Sequence, residues 1–128
     1  MNEVVKFLKD CGTFYIATMD GDQPRVRPFG AVMQYEGKLY ICTNNTKKCF
    51  QQMITNPKVE ITCVLGDKWL RLTGEVKTDS RMEVKQQFLK ECPISMYKAD
   101  DGLFEILYFD HATATICSFT DEPVSLEI

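Results

Sequence analysis

The stretch TNNTKKCFQQMITNP, residues 43–57, places two lysines where a helix should begin. Asn44, Asn45 and Thr46 are residue types that cap helix starts. The apolar Phe50, Met53 and Ile54 follow at helical spacing and Pro57 closes the segment, so the pattern predicts a short helix from about Thr46. The start of a helix is its positive end and favours carboxylates over ammonium groups. Lys47 and Lys48 are therefore mismatched there unless they share an anion. A phosphate would accept hydrogen bonds from free backbone N–H groups, the Thr46 hydroxyl and both ammonium groups. The plainer alternative is two solvated lysines, each costing roughly a few tenths of a kcal/mol. No Walker-type glycine loop accompanies the segment.

A second candidate is RVRPF, residues 25–29. Strand alternation puts Arg25, Arg27 and Phe29 on one face and Val26, Pro28 and Gly30 on the other. Pro28 cannot donate to a sheet ladder, so it marks an edge, a bulge or a gap between strands. Such an edge could grip a flat polar ring; equally, charge and proline protect ordinary edge strands from aggregation. Trp69 opens a strand and suits either the core or a planar ligand, and Tyr97 and Phe104 flank a loop that could line a pocket. No G-x-S-x-G is present, the single His111 has no nucleophile beside it in sequence, and Asp100, Asp101 and Glu105 read as a solvated turn. No side chain reads as an obligatory nucleophile or general base.

The elements that must position these residues follow from patterning. NEVVKFLKDC, residues 2–11, reads as a short helix with Val4, Val5 and Leu8 inward, stopped by Gly12. TFYIATM, PRVRPFGAVMQY (24–35), LYICT, KVEITCVL and WLRLTGEVKT read as five strands joined by hairpins or by one short helix, an antiparallel meander closing into a barrel. SRMEVKQQFLKEC opens with a Ser80–Glu83 capping box and reads as an amphipathic helix. PISMYKADDG is irregular, LFEILYF and ATATICSF read as two more strands separated by DHA, and the acidic tail from Thr120 is expected to be weakly ordered. The chain has 128 residues, net charge -3, 45% hydrophobic and 26% charged residues, which fits a single domain (1–128) with a core of its own. Without a long basic run, neither a nucleic-acid nor an anionic-membrane surface is expected. The N-terminus has no signal-peptide pattern and no apolar run approaches membrane-spanning length. Six cysteines form no C-x-x-C pair, and mostly buried, reduced thiols in the cytoplasm are expected, with no metal site.

Three pieces in order carry a resemblance that spans nearly the whole chain. They are a strand ending in A-T before DGDQPRVR, then YICTNNTKK with NPKVEI after it, then WLRLTGEV before a helix. Together they resemble the flavin-binding split-barrel family related to pyridoxamine 5'-phosphate oxidase. The resemblance implies an α+β, mainly β fold: a six-stranded antiparallel split β-barrel with flanking short helices. It also implies a homodimer holding flavin mononucleotide (FMN) at its interface, with a small-molecule substrate and NAD(P)H as a candidate electron donor. By the same resemblance Arg25, Val26, Arg27 and Pro28 lie along the flavin, and Cys42, Thr43 and Asn44 line it. Thr46, Lys47 and Lys48 hold its phosphate, and the position near Trp69 also contacts it. The chain ends in FTDEPVSLEI and lacks the basic and aromatic C-terminal segment with which the oxidase recognises pyridoxal phosphate. Its size is similar to the nitroimidazole-resistance and general-stress branches. The implied activity is an FMN-dependent oxidoreductase, and the alternative is a protein that stores or senses FMN or another phosphorylated ligand.

Overall fold

The structure is a computed structural model and describes residues 2–126. Helix α1 (Asn2–Cys11) buries Val4, Val5 and Leu8 and ends at Gly12, whose φ of 78° few other residues adopt. Eight strands follow, with two further helices between them: β1 (Phe14–Asp20), β2 (Gln23–Phe29), β3 (Met33–Tyr35), β4 (Lys38–Asn44), α2 (Lys48–Thr55), β5 (Lys58–Leu65), β6 (Lys68–Asp79), α3 (Met82–Glu91), β7 (Phe104–Ser118) and β8 (Val124–Leu126). All pairings are antiparallel and form one sheet in the order β2-β1-β5-β6-β7-β4-β3, with β8 added to β7. The two ends of this path, β2 and β3, are consecutive in the chain. Phe29 and Met33 are four residues apart, so the ends lie within about 14 Å of each other, and the sheet has to curl back on itself. Among the described residues no ladder joins β2 to β3, so the curl is not closed by hydrogen bonds.

Alternation along the strands builds two packed regions. Ile16, Ile41, Ile61, Leu70, Leu72 and Leu107 face the inside of the curl, where α1 and α2 add Leu8 and Met53. The opposite face of β3, β4 and β7 is not left to water: Met33, Tyr40, Phe104 and Ile106 pack under Val84 and Phe88 of α3. Strand β4 is therefore buried on both faces, which explains its unbroken apolar run LYIC.

The structure departs from the expectations at six points. The segment 24–35 is not one long strand: it breaks at residues 30–32, because Pro28 and Gly30 end the β2 ladder. Helix α2 begins at Lys48, two residues later than expected, since the Thr46 amide and hydroxyl both donate to Asn44 Oδ1 and hold the chain in a turn. Ser80 and Glu83 form no capping box. Instead the Asp79 carboxylate accepts from the Arg81 amide (3.0 Å), the Arg81 guanidinium (2.9 Å) and the Tyr40 hydroxyl (2.8 Å), and Arg81 reaches Glu36 as well (2.6 Å). The Arg81 hydrogen bonds hold the Asp79 carboxyl down at about 2, and burial pushes the Tyr40 phenol up to about 12. LFEILYF and ATATICSF are one strand, β7. Its extra residue Asp110 is taken up by a bulge where Glu75 pairs with His111 and Val76 with Phe109. Part of the tail forms β8. The sheet has eight strands in all and curls with an open seam, where the patterning predicted a meander that closes.

Candidate functional site

The seam at residues 30–32 opens into a cavity of about 670 Å3, within the range of small-molecule and cofactor sites. Its walls come from four places in the chain. Strand β2 and the break after it supply Arg27 to Val32, β4 supplies Cys42 and Thr43, the start of α2 supplies Lys47 and Cys49, and the segment after α3 supplies Cys92, Pro93, Ile94 and Tyr97. Lys9 and Glu91, paired at 2.9 Å, close one rim.

Arg27 lies across β1 toward α2. Its guanidinium donates to Thr18 Oγ1 (2.7 Å) and Gln52 Oε1 (2.8 Å), both neutral acceptors. Lys47 stands at the uncapped start of α2, in extended backbone, with no acidic residue in the helix's first turn. Neither cation belongs to any ion pair among the described residues. Both act on the same thiol: burial pushes Cys49 up, while Arg27 and Lys47 pull it the other way. Two unpaired cations and the positive start of a helix thus line the same cavity. Thr43 is 4% exposed and its Oγ1 has no hydrogen-bond partner, although it lines the cavity. A buried hydroxyl left unpaired costs about 1–3 kcal/mol, a cost that a polar ligand in the cavity would remove. The donor set fits a phosphorylated ligand with a polar ring system.

Five of the eleven residues singled out in the sequence meet here: Arg27, Pro28, Cys42, Thr43 and Lys47. Asn44 and Thr46 stand just behind, bonded to each other. Arg25 turns back to Asp20 (3.2 Å), and Val26 points outward, 67% exposed. Lys48 lines a separate cleft with Asp20, Gln51 and Gln52, so the helix start divides the two lysines. Trp69 lies outside the cavity of its own chain, its ring 4.9 Å from that of Phe119. Tyr97 does line the cavity, whereas Phe104 is core beneath α3. Asp101 accepts three backbone N–H bonds and closes the turn before β7. Phe29 and Gly30 belong to the candidate RVRPF edge; the walls that sequence reasoning missed are residues 31–32 and 92–94. Their only signal was negative, a proline and glycine breaking a strand and an apolar irregular loop after a helix.

The thiols are not poised for attack. All six cysteines are free, and burial pushes Cys42 up to about 12 and raises Cys49 and Cys92. Among the described residues no group of three His, Cys, Asp or Glu side chains could hold a metal ion, and no helix is long and apolar enough to cross a membrane.

A family model for pyridoxamine 5'-phosphate oxidase matches residues 1–113. The chain belongs to the pyridoxamine 5'-phosphate oxidase family. Within the family it is similar to the crystal structure of a NimC/NimA family protein from Clostridium acetobutylicum. The two are 59% identical over 98% of this chain and 93% of that one, with a TM-score of 0.93. General Stress Protein 26 from Bacillus anthracis shares the fold at 17% identity, covering 97% of each chain, with a TM-score of 0.70. A heme binding protein from Mycobacterium smegmatis shares it at 12% identity, over 93% of this chain and 57% of that one, with a TM-score of 0.72. No curated protein matches the sequence. The family match stops inside β7, short of the C-terminal residues that the sequence comparison set apart.

Proposed function

We propose that this family member binds FMN in the cavity at the seam and acts as an oxidoreductase on a small molecule. The observation that carries this is one cavity lined by two unpaired cations, Arg27 and Lys47, and by the orphaned Thr43 hydroxyl. Lys47 and the α2 amides take the phosphate, with Thr46 and Asn44 shaping the turn that presents them. Thr43 and Cys42 meet the polar edge of the ring system, and Pro28 and its neighbours give the ring an apolar floor. Arg27 supplies fixed positive charge in a partly buried place, where it acts more strongly than in water. FMN, when bound, supplies the two-electron chemistry. That division of labour suits a site whose thiols are held protonated.

In this proposal the active form is a homodimer of split barrels, six strands forming each barrel, with flavin at the interface. Phe104, Leu107 and Phe109 of β7 are buried in the chain's own core and contribute nothing to that interface. The supporting surface is elsewhere. Tyr15, Val26 and Val64 point outward from the sheet, and with Phe119 they are 46, 67, 67 and 84% exposed. Trp69 shares this outer face, so any contact it makes with flavin comes from the second copy.

Titration of the apoprotein with FMN and with riboflavin tests the proposal. FMN should bind more tightly by about 2 kcal/mol, roughly 30-fold, because only FMN carries the phosphate. Equal affinities would remove the phosphate site. Addition of NADH or NADPH to the yellow protein should bleach it; a spectrum that persists with both donors would make the protein a flavin store or sensor. A heme spectrum in place of a flavin one would overturn the cofactor assignment.

A further inference from the structure

Arg27 is gripped at one end of its side chain, and from outside the cavity that it lines. Its Nη1 donates to Thr18 Oγ1 (2.7 Å) and its Nη2 to Gln52 Oε1 (2.8 Å). The two acceptors are themselves bonded, the Thr18 hydroxyl giving its proton to Gln52 Oε1 at 2.6 Å. Acceptors that close together, one on each terminal nitrogen, must share the far end of the rigid guanidinium fork. Around Nη1 the nearest main-chain acceptors are the Ile16 and Arg25 carbonyls, both at 3.4 Å. Nε and the Nη2 hydrogen beside it meet no acceptor among the described residues. They form the flat side edge of the fork, the edge that holds two oxygens in parallel. An arginine can only donate, so the Gln52 atom facing it is the amide oxygen. Thr18 is buried, and Gln52 belongs to the wall of the other cleft, with Lys48 and Asp20.

We infer that Gln52 is a positioning residue that sets the electron affinity of the bound flavin through Arg27. With Thr18 it fixes the guanidinium at the cavity wall and leaves the side edge free for the flavin ring. Being neutral, it also leaves the Arg27 charge uncompensated. This rests on the flavoprotein assignment above and deepens it from cofactor binding to cofactor tuning. The flavin ring gains negative charge on reduction, so a fixed cation beside it favours the reduced form. The two tasks of Gln52 separate on substitution. A glutamate keeps the acceptor oxygen and the grip, but its carboxylate pairs with Arg27 and cancels the charge. A leucine keeps the charge but removes the acceptor, so the guanidinium is no longer held in place.

The test compares the full chain with Gln52→Glu, Gln52→Leu and Gln51→Glu. Gln51 is the preceding residue of α2; it is exposed and donates to the Asn45 carbonyl (3.2 Å), not to the Arg27 cluster. FMN titration of each apoprotein gives the affinity for the oxidised cofactor. The midpoint potential of the bound flavin, read against a reference dye during reduction with dithionite, gives the ratio of reduced to oxidised affinity. Gln52→Glu should lower that ratio at least about tenfold, a fall of about 30 mV for a two-electron couple. Gln52→Leu should lower it about threefold, since Arg27 keeps its charge and loses its place. Gln51→Glu adds the same charge to the same helix at a solvated position, and should leave the ratio within about twofold. An unchanged ratio in either Gln52 variant, or an equal fall in Gln51→Glu, overturns the inference while the flavin site stands. So does a Gln52→Glu protein that loses oxidised and reduced FMN alike, because Arg27 would then serve the phosphate and not the ring. If one Gln52 variant fails to fold, the other decides. A protein that takes up no FMN overturns the flavoprotein assignment as well.

Discussion

Lys47 and Lys48 are neighbours in sequence with the same charge, yet the first turn of α2 sends one into the cavity and the other into a different cleft. Lys47→Glu should therefore weaken FMN binding by at least about tenfold, through one lost charge-assisted bond and added repulsion, while Lys48→Glu should stay within about threefold. Fluorescence titration of both variants checks this. Thr43 supports a prediction of opposite signs. Thr43→Val removes a buried hydroxyl that has no partner, so the apoprotein should gain about 1 kcal/mol in denaturant melts, while FMN affinity falls. The buried thiols should resist iodoacetamide at neutral pH, because Cys42 and Cys49 are held as thiols; mass spectrometry of intact and of unfolded protein measures the contrast. At this scale the sequence was readable where chemistry is local. Two lysines at a helix start marked Lys47, which the structure puts in the cavity wall, whatever the fold. The Thr43 orphan and the Arg27 bridge to Gln52 were not readable, since they depend on which strands curl over which helix.

Between elements, the Asp79 cluster ties the start of α3 to the β3–β4 hairpin. Asp79 is 8% exposed, and its carboxyl lies near 2 when folded against an ordinary value of 3.8. A carboxyl depressed by folding contributes stability above its unfolded value and loses it as pH falls through the folded one. About 2 kcal/mol should therefore disappear between pH 4 and 2, and Asp79→Asn should remove that step from acid unfolding curves. The bulge at Asp110 sets a second constraint. A methyl group on Gly74 would run into the His111 carbonyl and lie 2.9 Å from Phe109 and Ala112, so Gly74→Ala should cost at least about 2 kcal/mol. Thermal melts measure it. Elements with clean periodicity, such as KVEITCVL and the α1 pattern, stood out in sequence to within a residue. Element ends did not. The Ser80–Glu83 signature lost to a buried carboxylate one residue earlier, and DHA looked like a turn because nothing local distinguishes a turn from a bulge in a paired strand.

At the level of the whole molecule, light scattering at micromolar concentration should give a mass near twice 14.7 kDa. A monomer would leave the outer face of Tyr15, Val26 and Val64 without a covering and Trp69 without a role at the flavin. The general architecture was legible because hairpins are local, but the strand order was not, since nothing in the β4 sequence names β7 as its partner. That one pairing has a further consequence during synthesis. Tyr40 pairs with Tyr108 and Asn44 with Phe104, so β4 finds its partner some sixty residues later in the chain. Until β7 has left the ribosome, β4 is an apolar ribbon with both faces bare, and the turn that carries Lys47 has nothing to lean on. A nascent chain is thus exposed to aggregation while the residues between β4 and β7 are made, and the cavity takes shape only once β7 is available. Assembly of the cavity and the pairing of β4 with β7 are therefore one event, which on the proposed function would make flavin uptake a report on that pairing.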